Sequence, residues 1–146
     1  MSPYFVEGAI FSDKRGTVRY ANDFDFFDVK RFYVIEGESG AVRAWQGHKV
    51  ERKYFYAAKG AFRICAVQVD NWEKPSTYLA AQEYLLDDAH SKVLCLPPGY
   101  ANGFQPITEN SVLLVFSSLQ LSDSEKDTYR FDLRLWFDWD KPVRLA

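Results

Sequence analysis

The chain is poor in the residues that declare a chemistry outright. It has two cysteines, two histidines and one methionine in 146 residues. Cys65 and Cys95 do not make a disulfide framework; both lie within apolar runs and read as reduced core thiols, which points to the cytoplasm. There is no Cys-x-x-Cys pair, no glycine-rich phosphate loop and no Gly-x-Ser-x-Gly elbow. No apolar run approaches the ~20 residues that a membrane-spanning helix needs. Met1 to Glu7 lack the basic segment and apolar core of a signal peptide. The net charge is only -2, so no overall attraction to nucleic acid or an anionic membrane is expected. The basic run from Lys49 to Lys53 is too short and too mixed to bind nucleic acid. Linkers, low-complexity segments and repeats are missing too, which leaves a single domain over residues 1–146 with one sizeable core.

What is abundant is aromatic. Aromatics are 17% of the chain and hydrophobic residues 47%, against 26% charged, a globular composition that favours strands. Ala9-Ile10-Phe11 leads into the polar turn Ser12 to Gly16, and Thr17 to Tyr20 follows as a strand. Val29 to Ile35 is the next, closed by Glu36 to Gly40. Tyr54 to Ala58 and Ala61 to Val69 flank Lys59-Gly60 and read as a hairpin with glycine at the turn. Asp70 to Ser76 reads as a loop, and Tyr78 to Leu86 fits helix or strand by periodicity alone. Val93 to Leu96 is a buried strand stopped by Pro97-Pro98, and Ser111 to Gln120 is another. The charged stretch from Ser122 to Asp132 suits a short helix, and Leu133 to Leu145, with Trp136 and Trp139, packs on something apolar. Eight or more short strands with little helix predict an all-β jelly roll closed as a small barrel.

Two stretches stand apart. One is Arg43-Ala44-Trp45-Gln46-Gly47-His48-Lys49, followed by Lys53 and Gly60; the other is Pro97-Pro98-Gly99-Tyr100-Ala101-Asn102-Gly103-Phe104. Together they resemble the two half-motifs of a cupin barrel, with Gly40 opening the frame and Gly60 closing it. The positions that hold metal ligands in metal-binding cupins fall on Gln46, His48, Lys53 and Asn102, of which one binds a metal well. The resemblance therefore implies a frame kept without its metal and without a cofactor. Ser12-Asp13-x-Arg15-Gly16, Val29 to Tyr33, Ser117-Ser118 and Asp127-Thr128-Tyr129-Arg130 are similar to the sugar-nucleotide 3,4-ketoisomerases. Lys53 ahead of Gly60 and the Pro98 to Phe104 segment are more similar to the dTDP-4-dehydrorhamnose 3,5-epimerases. The resemblance covers Phe11 to Asp132 and makes Tyr78 to Leu86 a strand.

These relatives share one chemical problem. A proton beside a ketone must be removed, the enolate oxygen stabilised and a proton returned. The resemblance implies His48 as base, since His90 sits in a polar turn and imidazole titrates near pH ~6.5. It implies Lys53 as the cation at the enolate, Tyr33 as the acid, and Arg43 as a phosphate grip through its planar fork. Gln46 stands where the epimerases carry their catalytic histidine, and an amide can orient a ketone but is no base. Ala44 stands where the family has glycine, and no tyrosine occupies the epimerase acid position near Gln120-Leu121. Trp45 either stacks on a nucleotide base or packs the barrel. Asn102 either lines the mouth or caps the turn. Tyr100 joins them among the substrate-binding candidates.

The implied activity is epimerisation or ketoisomerisation of a dTDP-linked 4-keto-6-deoxy sugar on the way to a surface polysaccharide. The alternative is a barrel that binds a sugar or sugar nucleotide without turning it over; a metal-dependent cupin is a third class. The resemblance also implies a homodimer formed by exchange of an N-terminal strand, with Phe5, Ile10 and Phe11 available for it.

Overall fold

Short runs rich in apolar and aromatic residues, separated by polar turns, build the sheets that the composition predicts. The computed structural model describes residues 1–143. The strands are β1 (Tyr4–Glu7), β2 (Ala9–Asp13), β3 (Gly16–Tyr20), β4 (Arg31–Gly37), β5 (Arg43–His48), β6 (Lys53–Lys59), β7 (Ala61–Gln68), β8 (Gln82–Asp87), β9 (Lys92–Leu96), β10 (Tyr100–Pro106), β11 (Ser111–Ser117) and β12 (Tyr129–Arg130). One short helix, α1 (Leu121–Lys126), precedes β12 within the charged stretch. Two five-stranded antiparallel sheets, ordered β1-β9-β6-β11-β4 and β12-β5-β10-β7-β8, face each other, and β2-β3 form a separate hairpin. This is the all-β jelly roll of the cupin barrel.

The Gly60 turn differs from the expected hairpin. Gly60 does adopt the left-handed conformation, at φ 73°. But β6 pairs with β11 and β9, while β7 pairs with β10 and β8. The turn carries the chain from one sheet to the other. A turn signal fixes where the chain reverses; which strand it then meets is decided by the long-range packing.

Burial follows the pleat. On β11, Leu113 and Val115 are fully buried, and Val115 lies between Tyr33 of β4 and Phe55 of β6. With Phe62, Ile64, Leu86, Leu94 and Phe104 they fill the space between the sheets. The outer faces are covered by chain rather than left to water. Phe24 and Val29 lie over Tyr54, Val93 and Cys95 on the first sheet. The second sheet is covered by Phe131, Leu135, Trp136, Phe137 and Trp139, packed on Trp45, Cys65 and Ala101. This is the apolar packing expected of the segment from Leu133; its far end, Leu145, lies outside the described residues. Gly103 permits the cover to sit close: a Cβ there would meet Ala44 Cβ at 2.6 Å and Trp139 Cζ2 at 2.8 Å.

β1 pairs with β9 of its own chain, and Phe5 joins the central core beside Tyr84, so Phe5 is used internally. Ile10 and Phe11 stand exposed on the β2-β3 hairpin. Among the described residues no helix is long and apolar enough to cross a membrane.

Candidate active site

The two sheets come closest to closing at the β1 and β8 side and gape at the other. β4 is one free edge there, and β5 with the short β12 is the other. Between them lies a cavity of about 1400 Å³. That exceeds the ~300–1,000 Å³ of ordinary small-molecule pockets, leaving room for a nucleotide and a sugar together. Its wall takes Arg31 and Tyr33 from β4, Arg43 and Gln46 from β5, Lys53 from β6, Asn102 and Phe104 from β10, and Thr128 and Arg130 beside β12. Glu36 and Glu125 are exposed and contribute the acidic part of the lining.

Lys53 is the unusual member. Its ammonium belongs to a residue only 3% exposed, and a buried charge survives only with partners. Nζ donates to Gln46 Oε1 at 3.3 Å, lies 3.6 Å from Glu51 Oε2 and stands 5.9 Å from the centre of the Tyr33 ring. Since Gln46 accepts through Oε1, its NH2 is left as a donor. Asn102 Nδ2 donates to the Gln46 carbonyl at 3.3 Å, which steadies β5 beside it. The Arg31 guanidinium lies 5.1 Å from the centre of the Tyr33 ring and donates to Leu119 O and Ser124 Oγ. Arg43 and Arg130 are exposed, and their guanidinium groups make no hydrogen bond or ion pair among the described residues. They are the cations free to meet an anion.

The structure brings Tyr33, Arg43, Gln46, Lys53 and Asn102 together on one wall. It places three other expected residues differently. His48 is buried and off the wall. Its Nδ1 donates to Asp127 O at 2.9 Å, and its Nε2 faces Glu51 Oε2 at 3.5 Å. Burial and the nearby Lys53 ammonium push its imidazole below the ordinary value, opposed by the Glu51 carboxylate and the Asp127 carbonyl. The reason is strand geometry: Gln46 and His48 share a face of β5, but two residues of rise move His48 about 7 Å along, beyond the cavity. Tyr100 is also off the wall; its ring is in the central core and its hydroxyl donates to Met1 O at 3.0 Å. Trp45 touches the cavity but is 1% exposed, with its indole N–H on Leu135 O and its ring against Trp136 and Trp139. Of the two roles open to Trp45, the packing one is realised.

Arg31, Glu51, Asp127 and Arg130 were not among the expected site residues, although Arg31, Asp127 and Arg130 lie in segments similar to the ketoisomerases. Asp127 accepts the backbone N–H groups of Lys49, Val50 and Glu51 at 3.0, 2.9 and 2.8 Å, holding the β5-β6 turn against α1. Glu51 sits in a run whose mixed charges suggest a solvated turn, yet its side chain is fully buried. The only hint was its spacing, three residues after His48 and two before Lys53.

A family model described as dTDP-4-dehydrorhamnose 3,5-epimerase matches residues 3–145. A search of curated protein sequences finds no significant match. An RmlC epimerase of Mycobacterium tuberculosis shares the fold at TM-score 0.76 and 20% identity, covering 94% of this chain and 74% of that one. The dTDP-4-dehydrorhamnose 3,5-epimerase of Sulfolobus tokodaii does so at 0.76 and 23%, covering 99% and 83%. A mutant of the 3,4-ketoisomerase QdtA of Thermoanaerobacterium thermosaccharolyticum, in complex with TDP-4-keto-6-deoxyglucose, does so at 0.69 and 22%, covering 89% and 88%. At these identities the structures speak for the fold, whereas the family model spans almost the whole sequence, and on it the chain belongs to the dTDP-4-dehydrorhamnose 3,5-epimerase family, a family of sugar-nucleotide isomerases.

Proposed function

We propose that the protein epimerises or ketoisomerises a dTDP-linked 4-keto-6-deoxy sugar by proton transfer beside the ketone, without a metal, on a route to a surface polysaccharide. The observation that carries the reading is the buried Lys53 ammonium on the wall of a cavity large enough for a nucleotide sugar. The ketoisomerase bound to TDP-4-keto-6-deoxyglucose supports the choice of substrate.

In this reading Arg43 and Arg130 grip the pyrophosphate. Lys53 and the Gln46 NH2 converge on the ketone oxygen and stabilise the enolate as it forms. Tyr33, flanked by the Arg31 and Lys53 cations, carries the proton to and from carbon. His48 acts from behind the wall, not by direct contact with the sugar. One proton carrier on one face suits a 3,4-ketoisomerisation, in which it moves a proton between neighbouring carbons; an epimerisation needs a second proton donor on the opposite face of the sugar. The donor set supports a metal-free reaction: the family's ligand positions hold one imidazole, two amides and an ammonium, and that ammonium already binds the Gln46 amide. Among the described residues no group of three or more His, Cys, Asp or Glu is arranged to hold a metal. The reading keeps a homodimer, to which the exposed Ile10 and Phe11 remain available, and a cytoplasmic setting, which the two free thiols favour.

The test is proton exchange. The protein is incubated in D2O with dTDP-4-keto-6-deoxyglucose and the sugar followed by NMR. Deuterium at carbon 3 or 5 is expected and names the carbon. Tight binding with no exchange would overturn catalysis and leave a sugar-nucleotide binding barrel, the reading that Gln46 at the base position favours.

A further inference from the structure

Glu51 is the one fully buried carboxylate at the site among the described residues, and the steps above do not use it. Its side chain is 0% exposed, and neither oxygen makes a hydrogen bond among the described residues. Three basic groups surround it instead. Oε2 lies 3.6 Å from Lys53 Nζ and 3.5 Å from His48 Nε2, and Oε1 lies 3.8 Å from Arg31 Nη2. Its backbone is pinned as well, by the N–H that it gives to Asp127 at 2.8 Å.

The hydrogen bond on the far side of His48 decides what lies between the two. The Asp127 carbonyl can only accept, so Nδ1 of His48 carries a hydrogen. In the neutral ring that burial favours Nε2 is then a bare lone pair, so the charged partners of Glu51 are Lys53 and Arg31, and Lys53 is itself on the cavity wall.

We propose that Glu51 is the positioning residue of this site: its buried carboxylate holds the Lys53 ammonium at the place where the ketone oxygen gains charge. The inference rests on the isomerase reading given above. The transfer balances. As the enolate forms, Lys53 Nζ gives a proton to its oxygen and becomes an amine. When the ketone re-forms, the proton returns to that amine, which the Glu51 carboxylate holds in place. No oxidant or co-reactant enters.

The experiment measures native protein, Glu51→Gln, Glu51→Asp, Lys53→Met and the double variant on dTDP-4-keto-6-deoxyglucose, with deuterium wash-in and steady-state rates read together. Glu51→Gln is expected to lower kcat by about 100-fold, as loss of an enolate-stabilising contact does, and to leave KM within about threefold. Glu51→Asp is expected to recover part of that loss. The double variant is expected to be no slower than Lys53→Met alone, because Glu51 acts through Lys53. A kcat for Glu51→Gln within about threefold of native, or a double variant slowed by the product of the two single effects, would overturn the proposal while leaving the isomerase reading intact. Native protein that gives no exchange overturns both. Should Glu51→Gln fail to fold, the native protein answers alone. In ¹⁵N-lysine spectra, assigned by difference from Lys53→Met, the Lys53 ammonium is expected to exchange slowly with water. Exchange as fast as that of surface lysines would refute its being held.

Discussion

Replacing Asp127 by asparagine separates the charge of this residue from its shape. The carboxylate is buried and accepts three backbone N–H groups. Oδ1 takes Lys49 at 3.0 Å, while Oδ2 takes Val50 at 2.9 Å and Glu51 at 2.8 Å. Asparagine has one oxygen to offer. If it takes the Val50 and Glu51 pair, its NH2 faces the Lys49 N–H, donor against donor. One charge-assisted bond is then lost and two become neutral. Charged bonds contribute about 1.5–3 kcal/mol and neutral ones about 0.5–1.5 kcal/mol. The gross loss is about 3.5–6 kcal/mol on that scale, reduced because a neutral amide costs less to bury. We expect a net loss of about 3 kcal/mol, a fall of roughly 6–12 °C in Tm for a chain of this size. Urea melts followed by tryptophan fluorescence would report it as a lower midpoint at unchanged slope. A loss under about 1 kcal/mol would refute the claim that the charge, rather than the shape, organises the β5-β6 turn.

Acid should destabilise the fold through His48. Its folded-state pKa is depressed by burial and by Lys53, so the stability is present above the unfolded value of ~6.5 and is lost as pH falls below it, by up to about 1.4 kcal/mol per pH unit; urea melts between pH 7.5 and 5.5 should show this slope, and His48→Gln should flatten it. Gly103→Ala should cost about 1–3 kcal/mol by overpacking, with a changed near-UV signal from Trp139, since the new methyl would lie 2.8 Å from its ring. Arg43→Met should weaken dTDP binding by about tenfold and reduce its salt dependence, while thermal stability stays within about 0.5 kcal/mol; calorimetry at two ionic strengths would check it.

The sheets were legible because apolar runs between turn signals are local. β11 is an unbroken apolar run from Val112 to Phe116 between polar residues, although which of its side chains turn inward shows only in the structure. What sequence could not give was pairing at a distance. The Gly60 turn looks like any hairpin, yet β6 finds its partners in β11 and β9. At the site, the motif frame picked out Gln46, Lys53, Asn102, Arg43 and Tyr33, which the structure brings to one wall; place on the strand fixes the face of Gln46, Lys53, Asn102 and Tyr33, whereas Arg43 reaches it through a shift in the β5-β10 pairing between Gln46 and Arg43. It left two roles open for Trp45, which lies one residue from Gln46 and faces the outer cover formed by Trp136 and Trp139. His48 is a different case. The face was right, but the depth along the strand depends on where the wall ends, and Asp127, 79 positions on, settles that. Glu51 was invisible for the same reason: nothing local distinguishes a solvated glutamate from one enclosed by three basic groups that fold in from β4, β5 and β6.

Those groups explain how a chain of net charge -2 presents a cationic cavity. Lys53, Arg31, Arg43 and Arg130 all reach its wall. Were all four uncompensated, their mutual repulsion would oppose folding, and a buried ammonium would cost several kcal/mol on its own. Glu51 removes that cost from behind, at 3.6 Å from Lys53 and 3.8 Å from Arg31, while being too buried to meet a ligand itself. The carboxylate that compensates Lys53 and Arg31 therefore stays out of an anion's reach, while the wall's own acids, Glu36 and Glu125, are exposed. The two arginines left without partners, Arg43 and Arg130, are exposed ones, where water supports the charge until a phosphate displaces it. A carboxylate placed on the wall instead would neutralise Lys53 equally well and repel the pyrophosphate. Burial of Glu51 is thus what lets one residue serve stability and anion binding together.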